Sequence, residues 1–167
     1  MILGLSTSAF TQLHVIISLV GLLSGLVALL GLCKGRRLPG WTATFLITTI
    51  ATSVTGFMFH SPSFGPPHII GALSLVILAI ALLALYVKDL FGKWRWIYIV
   101  TAVLALYFNA FVAVVQGFQK IAFLRALAPT QKEPPFLMAQ LLVLVFFVIT
   151  AAISLKSFPR RTVRGVV

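Results

Sequence analysis

Apolar positions fall into five continuous runs, at residues 13–33, 41–59, 69–87, 96–116 and 136–155, separated by short polar or basic connections. A helix needs about 20 apolar residues, each rising about 1.5 Å, to cross the hydrocarbon of a bilayer. Each run meets or approaches that length. The runs are unbroken rather than alternating, so the expected spanning form is the helix and not the barrel strand. The predicted fold is all-α: a polytopic bundle of five transmembrane helices forming a single domain over residues 1–167. The uncharged connection 55–68, with His60 and His68 at its shoulders, is the stretch around which the rest is expected to be arranged.

The connection 117–135 differs from the others. Lys120, Arg125, Lys132 and Glu133, with Pro129, Pro134 and Pro135, make it too polar to span. Phe118, Ile121, Ala122 and Arg125 recur at helical spacing, which predicts a short amphipathic segment on the outer surface between the fourth and fifth helices. The prolines after Ala128 predict a loop. Within the runs, Ser18, Gly21, Gly25 and Ala28 form a small-residue stripe that lets a neighbouring helix approach. Thr48, Thr49, Thr52, Ser53 and Thr55 offer hydroxyls to backbone carbonyls. Trp41, Trp94 and Trp96, with Tyr86 and Tyr98, read as interfacial anchors. No internal repeat is visible, and five helices do not divide into the equal halves of an inverted-repeat transporter.

Composition agrees. The chain is 60% hydrophobic and 9% charged, with a mean hydropathy of +1.12, outside the range of soluble domains. The net charge of +11 arises from thirteen cations against Asp89 and Glu133. Because the cations sit between apolar runs, the expected partner is the lipid bilayer rather than nucleic acid. Ten of the thirteen lie in the first connection, the third connection and the C-terminal tail, predicting N-terminus out and C-terminus in. Cys33 has no cysteine partner and reads as a small apolar residue at a helix end. No basic stretch precedes the first run, so that run is expected to be retained as a helix.

His14, His60 and His68 open the first helix, close the second and open the third, all on the outer side. Antiparallel neighbours lie about 8–10 Å apart, so the three imidazoles could converge on haem or a transition metal. The competing reading leaves them as interfacial, hydrogen-bonded histidines. Asn109 and Gln116 are seven apart, hence on one face of the fourth helix, and are expected to face the bundle interior. They serve either as hydrogen-bonding glue between helices or as part of a polar cofactor-binding mouth, with Glu133 and Gln140 orienting the ligands. Several classes are excluded. The Gly-Lys at 92–93 lacks the rest of a phosphate loop, and Asp89 lies on the opposite side from every histidine. Glu133 stands alone among carboxylates on its side, and no ionisable residue sits at mid-helix.

The segment Phe108-Asn-Ala-Phe-Val-Ala-Val-Val-Gln116, with Leu127-Ala-Pro-Thr-Gln-Lys-Glu-Pro-Pro-Phe136, resembles small bacterial inner-membrane proteins of unassigned role. The resemblance covers the second to fifth helices. It implies a bacterial inner membrane and carries no functional residue. Two functions follow as expectations: haem or metal binding for electron transfer or metal handling, or a non-catalytic accessory subunit of a larger membrane complex.

Overall fold

The computed structural model describes residues 2, 4–59 and 65–159. Its helices are α1 (Thr7–Cys33), α2 (Pro39–Phe57), α3 (Pro66–Leu82), α4 (Trp94–Lys120), the short α5 (Ala122–Leu127) and α6 (Pro134–Ser157). One π-helical turn, Leu83–Val87, prolongs α3. Among the described residues there is no strand beyond an isolated bridge between Ile2 and Leu5. Among the described residues, four helices are long and apolar enough to cross a membrane: Thr7–Cys33, Pro67–Val87, Trp94–Lys120 and Pro134–Ser157. The chain is a multi-pass membrane protein. α2 is 19 residues long but falls short of that apolarity, because threonine and serine interrupt its Phe, Leu and Ile positions.

Helix ends follow caps rather than the limits of the apolar runs. α1 begins at Thr7 instead of residue 13, since the Ser6 hydroxyl accepts the Ala9 N–H at 3.2 Å. Proline opens α2, α3 and α6, where its missing N–H costs nothing. α4 runs on to Lys120 because nothing breaks it before Ile121, whose ψ of 116° turns the chain into α5. The expected amphipathic segment is therefore split between the last turn of α4 and a six-residue helix with no buried residue. α1 ends in a reciprocal pair of bonds: Gly35 N–H to Leu32 carbonyl at 3.0 Å and Arg36 N–H to Gly31 carbonyl at 2.8 Å. Gly35 sits at φ +69°, and a Cβ there would come within 2.8 Å of the Ser157 carbonyl oxygen. Both the left-handed backbone and the approach of α6 require glycine.

α4, rather than the 55–68 connection, is the element around which the bundle is built. It packs against α1, α2, α3, α5 and α6. Its face of Tyr98, Ile99, Ala102, Val103, Ala105 and Leu106 is buried in the main core. Tyr98, expected as an interfacial anchor, is only 1% exposed and belongs to that core. Gly25 of the small-residue stripe faces this helix, and a Cβ on it would lie 2.7 Å from the Phe45 ring and run into Leu106. α6 is the outermost span, with 17% of its most apolar window buried. Its Leu137, Met138, Leu141, Leu142 and Val148 are exposed.

Candidate functional site

His14 and His68 both pack against the C-terminal end of α2. The His14 ring meets the Phe59 ring edge-on at 5.2 Å, and its Nδ1 lies 2.7 Å from the Thr55 hydroxyl. That hydroxyl also bonds the Ala51 carbonyl at 2.7 Å. A hydroxyl has one proton, and a carbonyl can only accept it. When Thr55 donates to Ala51 it accepts from His14, and the His14 proton is then on Nδ1 with Nε2 as the acceptor nitrogen; when Thr55 donates to His14, the roles of the two ring nitrogens are exchanged.

His68 is arranged the opposite way. The Gly65 N–H donates to His68 Nδ1 at 3.3 Å, while the His68 N–H donates to the Gly65 carbonyl at 3.0 Å. The imidazole thus closes the first turn of α3, spending its Nδ1 lone pair on the backbone. Its ring lies 5.8 Å from that of Phe57. His60, the third of the candidates, lies outside the described residues. Among the described residues no group of three His, Cys, Asp or Glu side chains could hold a metal ion.

The amides divide. Asn109 is half-buried and donates to the Ser18 carbonyl at 3.3 Å, tying α4 to α1. Together with the Thr48 and Thr49 hydroxyls it closes on Gly21, whose hypothetical Cβ would meet all three polar atoms within 3.3 Å. Gln116, expected to share the interior with Asn109, is exposed. Crossing helices cover only part of one another's faces, so equal phase on a helix does not give equal burial. Gln140 donates to the Phe111 carbonyl at 3.3 Å, tying α6 to α4, and its buried Oε1 has no hydrogen-bond partner. Gln131, not among the candidates, bonds the Val115 carbonyl at 3.0 Å and folds the outer loop onto α4.

Glu133 faces its own loop rather than the histidines. Its carboxylate accepts from the Thr130 hydroxyl at 2.8 Å, the Thr130 N–H at 3.2 Å and the Lys132 N–H at 3.0 Å. Desolvation pushes its pKa up, and these hydrogen bonds outweigh that, so the carboxyl lies below the ordinary glutamate range.

Thr55 is the partner that sequence reasoning missed. It was visible only as one hydroxyl among several, although Thr55 and His14 both sit about five turns from the 34–38 connection. In an antiparallel hairpin that register places them side by side. Arg95, at the other end of the bundle, was legible only as one more topology-setting charge, yet it is 4% exposed.

Compared with protein-family models, curated proteins and solved structures, the chain matches none.

Proposed function

We propose that the chain is a non-catalytic accessory subunit of a larger complex in a bacterial inner membrane. It crosses five times, with the N-terminus outside and the C-terminus in the cytoplasm, α2 being the fifth span. The observation that supports a packing role is how the polar side chains are used. Asn109, Gln140 and Gln131 are committed to carbonyls of other elements, and His68 to the start of its own helix. α2 is about 28 Å long at 1.5 Å per residue, close to the hydrocarbon thickness, and its hydroxyls bond to its own carbonyls or face neighbours. The side of α6 turned away from the bundle is the surface on which helices of the complex pack. A photo-reactive residue at Leu142 in the native membrane tests this. Discrete protein adducts support it, and adducts to lipid alone overturn it.

One observation favours a second reading. The Thr55 hydroxyl engages His14 through Nδ1, the nitrogen opposite Nε2, and residue 60 follows directly in sequence on Phe59, against which His14 packs. Haem or a transition metal would then be held by His14 and His60, with His68, which packs against the same end of α2, as the third histidine. The group would serve electron transfer or metal handling. A Soret band or bound metal lost on His14→Ala supports it; a colourless, metal-free preparation overturns it.

A further inference from the structure

At the end of the bundle opposite the histidines, the chain forms a cleft of about 410 Å³. The 34–38 connection, the turn after the π-helical segment and the end of α6 enclose it, through Arg37, Pro39, Asp89, Leu90, Phe158 and Pro159 among others. Leu90 and Phe158 are buried and give it an apolar floor. Arg37 and Asp89 are exposed and give it a charged rim.

The wall is also unusual in its backbone. Asp89 and Leu90 are consecutive non-glycine residues at φ 45° and 61°. Left-handed backbone is costly for a bulky residue such as leucine, and such strain gathers at ligand-binding turns. Here it drives Leu90 inward while keeping Asp89 at the mouth. The Leu90 N–H is bonded to the Ala84 carbonyl at 3.0 Å, a link made possible by the extra residue of the π-helical turn.

The surroundings are strongly basic. Lys34, Arg36, Lys88 and Lys93 lie in the same two connections as Arg37 and Asp89, and all four are exposed. The only described carboxylate in these connections is Asp89. Because apolar helices end here, this layer falls at the level of lipid headgroups.

We infer that this cleft binds the phosphate of an anionic glycerophospholipid, with Arg37 as the phosphate contact and Leu90 and Phe158 against the glycerol and the first acyl carbons. Arginine offers a planar fork of donors matched to phosphate oxygens. The apolar floor favours a lipid phosphate over free phosphate, which has no carbon to bury. The site requires the membrane location of the bundle, and does not depend on the accessory-subunit reading.

The test is native mass spectrometry of the full chain released from bilayers of phosphatidylcholine with or without phosphatidylglycerol. Retained phosphatidylglycerol adducts, reduced roughly fivefold by Arg37→Gln and unaffected by Arg125→Gln in α5, are the expected result. Equal retention of the two lipids or an unaffected Arg37→Gln would overturn the site. So would inorganic phosphate displacing the lipid at millimolar concentration, which would assign the cleft to a free anion. Failure of the chain to enter either bilayer overturns the membrane reading as well, whereas entry without lipid preference overturns the site alone.

Discussion

Arg95, in the first turn of α4, donates from Nη1 to the carbonyl of Leu155, near the end of α6, at 3.1 Å, and from the same nitrogen to the Phe158 carbonyl. The last carbonyls of a helix have no partner within it, and they carry the negative end of its dipole. A buried guanidinium placed there satisfies these carbonyls and is itself stabilised. It joins the central helix to the outermost one. Arg95→Met should destabilise the bundle by about 2–3 kcal/mol, the worth of charge-assisted bonds lost from buried carbonyls. Thermal unfolding in detergent measures this, and an unchanged midpoint would show that the clasp contributes nothing.

Gly35 carries two demands at once, a φ of +69° and the 2.8 Å approach of the Ser157 carbonyl to a Cβ. Gly35→Ala should therefore cost about 1–3 kcal/mol and loosen α6 from α1. Gly40, where a Cβ would meet nothing within 4 Å, is the control. Gly40→Ala should leave stability within about 0.5 kcal/mol of the parent.

Gly25 lies between the Phe45 ring and Leu106. Gly25→Val overpacks that contact and should destabilise by about 1–3 kcal/mol, with chemical shifts moving on α2 and α4 rather than on α6. Changes centred on α6 would mean that the helices are ordered differently around the bundle.

The bond between His14 and Thr55 links α1 to α2 at 2.7 Å. Interhelical hydrogen bonds within membranes average about 0.6 kcal/mol. Thr55→Val should accordingly lower stability by less than about 1 kcal/mol, while releasing the His14 tautomer. Nitrogen-15 shifts of the imidazole report that release; an Nδ1 resonance unchanged in Thr55→Val would break the proposed link.

Glu133 titrates lower in the folded chain than in the unfolded one, where glutamate ionises near about 4.3. Its hydrogen bonds therefore stabilise the outer loop above that pH, and the contribution is lost as pH falls through the folded value. Protection of the Thr130 and Lys132 amides, measured relative to their intrinsic exchange rates, should fall as Glu133 is protonated, and Glu133→Gln should remove that pH-dependent loss of protection.

The histidines show how far the sequence could reach toward a site. That His14 and His68 would lie at the same end of the bundle followed from helix alternation, whereas their packing against α2 is seen only in the structure. That one ring meets a threonine hydroxyl of another helix while the other accepts from the N–H of its own helix cap did not follow, because the first depends on a partner 41 residues away and the second on where α3 begins. Asn109 and Gln116 make the same point in reverse. Their seven-residue spacing gives them one helical face, yet only Asn109 meets a neighbour, the Ser18 carbonyl. The separation of α5 from α4 rests on a single extended residue, Ile121, within a segment whose periodicity is continuous.

By itself the sequence determined that the chain is helical and lives in a bilayer, because hydropathy is summed locally and needs no knowledge of neighbours. It located the connections between runs for the same reason, although the helices start earlier than the runs, at Pro39, Pro66 and Pro134. The tertiary structure decided that α4 is the pillar, that Tyr98 and Arg95 are buried, and that α6 stays at the edge. Leucine, valine and phenylalanine suit lipid and protein equally, so the order of helices around a bundle is set by close packing at Gly21, Gly25 and Gly35 and by a few bonds across helices. Those interactions exist only once the chain has folded.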